Sequence, residues 1–154
     1  MRARLPVALL LLLSVASAHG QDQAQQRGVG MPDEPAFVEH RLTLQLSDAG
    51  EAKQALVLSV AANVLKLYGP DKVAIDVVAF GPGIDLLHEG NPNGAKIRSL
   101  VAQGVHFDAC MNTIATIERT TGKPYPLLPE ARRVAAGVVQ IISLAEHGYT
   151  TVRP

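Results

Sequence analysis

The sequence predicts an α/β fold, a three-layer α/β/α domain on a five-stranded parallel sheet, flavodoxin-like in kind. Three observations lead there. Strand-like and helix-like segments alternate along the chain from about residue 37 to the end, the pattern of βαβ units. One strand, "KVAIDVVAF", is almost continuously apolar, as a strand covered on both faces must be. The 154 residues suit one domain, and a hydrophobic content of 47% suffices for its core.

The elements follow in order. "FVEHRLTLQLSD" sets Leu42, Leu44 and Leu46 against Arg41, Thr43 and Gln45, a period of two and so a first strand. In "AGEAKQALVLSVAANVLKLYG" the residues Leu56, Val60, Val64 and Leu67 recur at helical spacing, and Gly69-Pro70 ends the run. Asn63 within this helix reads as a buried polar group with a backbone partner. After the apolar second strand, Gly81-Pro82-Gly83 turns the chain. "GAKIRSLVAQG" is a helix with Ile97, Leu100 and Val101 inward. "VHFDA" is a short strand and "MNTIATIERTTG" a helix. Pro124, Pro126 and Pro129 make Lys123 to Glu130 a loop with few backbone donors, expected to be mobile. "RRVAA" forms a short fourth strand, where Arg132 and Arg133 suit a sheet edge. "GVVQIISLAEHG" is the last helix and "YTTVRP" the last strand.

The N-terminus has a different character. "MRARLPVALLLLLSVASA" combines two arginines, an apolar run from Val7 to Leu13 and the small residues Ala16-Ser17-Ala18, the three parts of a secretory signal peptide over residues 1–18. The run is shorter than the ~20 residues a membrane span requires, so no membrane contact is expected after cleavage. The Gln-, Gly- and Pro-rich residues 19–36 read as a flexible leader, with the domain proper over 37–154. The expected location is periplasmic or secreted.

Composition excludes several functions. Basic and acidic residues balance at 14 each, without a basic run, so nucleic acid is not an expected partner. Trp is absent and aromatics are 4% of the chain, too few for a stacking surface. The five histidines show no metal-ligand spacing, and neither a G-x-S-x-G, an H-E-x-x-H nor a C-x-x-C is present. No cofactor and no metal is implied. "FGPGIDLL" lacks the spacing of a phosphate loop, and Pro82 removes a backbone donor, so a tight turn is the better reading.

One residue stands apart. Cys110 in "QGVHFDACMNTI" is the only cysteine, so no disulfide can form within the chain. It falls where the third strand meets its helix, at the carboxyl end of the sheet, where α/β proteins gather their chemistry. A helix N-terminus favours a thiolate there, whereas burial would make the same residue a small hydrophobe. His106, on the strand behind it, lies too far back to assist.

Taken together, "VAIDVVAFGPGIDLL", "QGVHFDACMNT" and "AAGVVQIISLAEHGYTTVRP" resemble the DsrE/DsrF-like family, in particular its exported YchN-like members, over residues 38 to 154. The resemblance implies assembly as a homotrimer or homohexamer, and a role, at most sulfurtransferase-like, in a sulfur relay. On it, Cys110 would accept a persulfide from a donor protein and pass it to an acceptor. Asn112, Thr113, Gly81 and Gly83 would bind around it. Many relatives carry His where this chain has Phe80. The competing reading is a non-catalytic oligomeric module that binds a small ligand, with Cys110 as packing.

N-terminal sequencing of exported protein should find His19 first; a chain still beginning at Met1 would remove the signal-peptide reading.

Overall fold

The computed structural model describes residues 33–154; the signal segment and residues 19–32 of the leader lie outside the described residues. The elements are β1 (His40–Leu46), α1 (Glu51–Tyr68), β2 (Val73–Ala79), a 3-10 segment (Gly81–Leu87), α2 (Gly94–Val101), β3 (Val105–Cys110), α3 (Met111–Thr121), β4 (Arg132–Val134), α4 (Gly137–Glu146) and β5 (Thr150–Val152). The five strands form one parallel sheet in the order β4-β3-β2-β1-β5.

That order dictates the layers. From β1 to β4 the chain steps across the sheet in one direction, and right-handed crossovers put α1, α2 and α3 on one face. After β4 it returns past three strands to β5, so the same handedness puts α4 on the opposite face. The main core lies under the first three helices, where Leu44, Leu46, Ile75, Val77 and Phe107 meet Val57, Leu58 and Ile97. The second core is thin: Ala74 and Val78 of β2 pack with Leu144 and Tyr149. Period-two alternation explains the difference, because β2 turns Val73, Ile75 and Val77 to the first face and Ala74, Asp76 and Val78 to the second.

Three expectations need correction. In α1 the inward stripe is Gln54, Val57, Leu58, Ala61 and Leu65, while Leu56 and Leu67 are exposed. Both stripes are apolar, and Gln54 decides between them: its buried amide donates to the Ala49 carbonyl and to Asp85. With Gln54 inward, residues three, four, seven and eleven positions on follow it. The same rotation leaves Asn63 exposed rather than buried. The loop from Lys123 to Glu130 is tied down. The Leu128 N–H donates to the Leu87 carbonyl at 2.9 Å, Pro126 accepts from the Glu89 N–H at 3.0 Å, and Leu128 is buried. Proline removes donors from a segment but leaves its carbonyls free to accept. Glu34, just ahead of the domain, pairs with Arg41 at 2.7 Å, a contact that lowers the Glu34 carboxyl pKa.

β4 is the edge strand its two arginines suggested, but they differ in role. Arg133 is exposed. Arg132 reaches over the second face to Asp76 at 2.6 Å and Asp108 at 2.7 Å; both carboxyls are fully buried, and the arginine side chain is 30% exposed. Burial, and then the charge of Asp108, hold the Asp76 carboxyl well above the usual carboxylate range, more than Arg132 offsets. One guanidinium therefore bridges two buried carboxyl groups and cannot fully offset the cost of burying both. Removing the guanidinium would strand a buried charge.

Arg132→Ala should lower the unfolding free energy by about 3–5 kcal/mol in chemical denaturation. Lys72→Ala, which breaks the exposed Lys72–Glu39 pair, should leave the midpoint essentially where it was.

Candidate functional site around Cys110

β3 and β4 are neighbours, with Cys110 opposite Val134. The helices that follow them leave on opposite faces of the sheet, so their strand ends mark the point where the topology switches. Cys110 ends β3 and is the N-cap residue of α3, with extended backbone at φ −70° and ψ 109°. Three residues past Val134, Gly137 begins α4. Two helix N-termini thus open onto one sulfur, each carrying backbone N–H groups without intrahelical partners.

Cys110 is a free thiol, 5% exposed. Burial pushes it up. The Thr113 hydroxyl, the Gly137 N–H and the N–H groups of Thr113 and Asn112 favour the thiolate and together outweigh burial, so the thiol lies below its ordinary value. These donors surround the sulfur without making a side-chain cap hydrogen bond, so they act chiefly on the charged form. The Asn112 N–H contributes least, being directed also at the Ala135 carbonyl at 3.2 Å.

The neighbours of Cys110 are placed by local chain geometry. The Thr113 hydroxyl accepts from the Gly81 N–H at 3.0 Å, which leaves its own proton free to turn toward the sulfur. Gly81 holds φ +53°, a left-handed conformation that favours glycine. Pro82 then stands in the first turn of the 3-10 segment, where its missing N–H costs nothing. Gly83, expected as a binding residue, is buried in packing instead: a Cβ there would collide with the Leu46 carbonyl. At Gly137 a Cβ would stand 3.0 Å from the Cβ of Phe80 and 3.3 Å from that of Cys110, so only glycine lets α4 start this close to the thiol.

Beside the thiol lies a cleft of about 590 Å³ lined by Gly81, Pro82, Ile84, Asp85, Asn112, Thr113, Thr116, Ile117 and Tyr125. Of the residues expected at the site, Gly81, Asn112 and Thr113 line it; Cys110 and Gly83 do not. Thr113 joins the two features, lying in the cleft wall and beside the sulfur. The Tyr125 phenol, pushed up to about 12 by burial and by the charge of Asp85, stays protonated as a donor. His106 offers Cys110 no base. It lies with Asp108 on the second face, and burial and Arg132 push its imidazole down. Among the described residues no cluster of His, Cys, Asp and Glu could hold a metal ion.

The sequence reading missed Tyr125, Ile117 and Gly137. Tyr125 belongs to the proline-rich loop and reaches the cleft only because that loop is pinned. Gly137 opens an apolar helix, and nothing local marks it as the neighbour of a residue 27 positions earlier.

Thr113→Val keeps the shape and removes the hydroxyl. It should raise the pH midpoint of Cys110 alkylation and slow the reaction at neutral pH about threefold or more, since the thiolate is the nucleophile. An unchanged pH profile would remove Thr113 from the site.

No known family profile matches the chain, and no curated protein does. Its fold is similar to a solved structure titled as a protein of unknown function, MTH1491, from Methanobacterium thermoautotrophicum. The TM-score is 0.67 and the sequence identity 27%, over 75% of this chain and 100% of that one. The architecture is thus a three-layer α/β/α domain with a five-stranded parallel sheet.

Proposed function

We propose that this protein is a thiol-based sulfur carrier that takes up a sulfane sulfur on Cys110 as a persulfide. The observation that carries the reading is the environment of that one thiol. Two helix N-termini and the Thr113 hydroxyl favour its thiolate, and the start of α4 stands against the sulfur at Gly137. The resemblance of "QGVHFDACMNT" and its companion segments to the DsrE/DsrF-like family points the same way.

The step needs no oxidant. The Cys110 thiolate attacks the terminal sulfur of a donor persulfide, R–S–SH. A new S–S bond forms to Cys110, the donor S–S bond breaks, and its electron pair leaves with R–S⁻. The reverse step, on an acceptor thiolate, unloads the carrier. The donors that favour the thiolate also favour the persulfide anion, which is charged as well. The cleft supplies apolar wall at Pro82, Ile84 and Ile117 for the body of the donor, with Asn112 and Thr113 as polar contacts.

The setting we propose is the periplasm or the exterior, as a homotrimer or homohexamer working with a donor or acceptor protein. The exposed apolar residues Val138, Val139 and Ile142 of α4, with Leu56 and Leu67 of α1, support assembly. The competing reading, an oligomeric ligand-binding module with Cys110 as packing, draws on the burial of the sulfur and its tight contact with Gly137.

Mass spectrometry after incubation with a polysulfide should show the peptide containing Cys110 heavier by one sulfur atom, reversibly under a reducing thiol. Cys110→Ser should take up none while keeping the parent's circular dichroism and assembly. A parent chain that takes up no sulfur, and in which Cys110→Ala is strongly destabilising, would favour the packing reading.

A further inference from the structure

Arg132, Asp76 and Asp108 form the most deeply buried charged group among the described residues, and the site chemistry described above does not use it. All three lie on the second face of the sheet. Asp108 is opposite Arg132 across the β3–β4 ladder and two residues before Cys110; Asp76 stands on β2, one strand further in. The Arg132 Nη2 contacts Asp76 Oδ2 at 2.6 Å and Asp108 Oδ1 at 2.7 Å, and its Nε donates to Asp108 Oδ1 at 2.8 Å.

The group joins strands that have little else to hold them. β4 has three residues and lies at the edge of the sheet, paired only with β3. So short an edge has few ladder hydrogen bonds, and a side chain spanning β4, β3 and β2 adds to its hold. What β4 delivers matters to Cys110. Its last residue, Val134, is opposite the cysteine. Ala135 accepts from the Asn112 N–H at 3.2 Å, and Gly137 brings its N–H to the sulfur from a position that leaves no room for a Cβ. The register of β4 against β3 therefore sets where the start of α4 falls relative to the thiol.

We propose that Arg132 is a positioning residue for Cys110: through its ion pairs with Asp76 and Asp108 it locks the edge strand so that the Gly137 N–H stays against the sulfur. The inference deepens the Cys110 site and rests on Cys110 being a functional thiol. Whether that thiol carries sulfur is read separately, by mass.

Arg132→Lys tests it at constant charge. A single ammonium cannot reproduce the planar fork that holds two carboxyls at once. The readout is the thiolate ultraviolet absorbance against pH, taken as the difference from a Cys110→Ser chain of the same background, which does not require the sulfur to be reached by a reagent. The midpoint should rise, alkylation at neutral pH should slow about threefold or more, and exchange of the Gly137 amide should quicken. Lys72→Ala, at an exposed pair just before β1 and β2, should change none of these.

Asp108→Asn is the second variant and separates geometry from charge. Removing an acidic side chain two residues from the sulfur relieves repulsion of the thiolate and would, by electrostatics alone, make the thiol more acidic. Loosening the clamp makes it less acidic. A raised midpoint supports the clamp. A folded Arg132→Lys chain with the parent's thiol titration, or an Asp108→Asn chain with a lowered or unchanged one, would overturn it. Sulfur uptake that fails in the parent while the midpoint still rises in the variants would sink the carrier reading and leave the positioning role standing.

Discussion

The arrangement at the carboxyl end of this sheet depends on one buried electrostatic constraint. Two aspartates face the same side of adjacent strands with no access to water, and one arginine at the sheet edge is their counter-ion. A lone buried carboxylate is intolerable, and two would be worse. The solution is a guanidinium brought in on β4 that contacts both carboxyls. That requires β4 to lie against β3 in a particular register. From this follow the placement of Ala135 against Asn112 and of Gly137 against Cys110.

The thin second face makes the constraint visible. Three helices cover one side of the sheet and α4 alone covers the other, because the chain reverses its direction across the sheet only once. With so small an apolar core there, the polar residues of that face carry much of the structural specificity. The outward side of α4 remains apolar at Val138, Val139 and Ile142, so this single-helix layer has a surface suited to burial by another chain.

The environment of Cys110 shows how small effects of opposite sign are settled by geometry. Burial to 5% exposure would leave an isolated thiol protonated and inert. Donors from two helix starts and one hydroxyl reverse that outcome. The hydroxyl can take part because the Gly81 N–H occupies its acceptor side, and the N–H reaches it because Gly81 adopts a left-handed turn. A turn that the sequence marked as a break in the chain is also a support for the thiol.

Sequence alone determined the features that depend on short-range periodicity and local chain chemistry. These include the alternation of strands and helices, the parallel class, the placement of Cys110 where a strand meets a helix, the Gly81-Pro82 turn and the edge position of the strand with two arginines. Tertiary structure decided what depends on residues distant along the chain. Arg132 meets partners 24 and 56 positions away, and neither spacing leaves a trace in local pattern. The rotation of α1 was undecidable from its own residues, since both of its stripes are apolar; Asp85, packed against Gln54 from another segment, chose between them. The proline-rich loop looks mobile because its missing donors can be read from sequence, whereas the Glu89 N–H that donates to Pro126 and the Leu87 carbonyl that accepts from Leu128 belong to contacts across the fold. Periodicity reports which side of an element is apolar; only packing determines which atoms that side will meet.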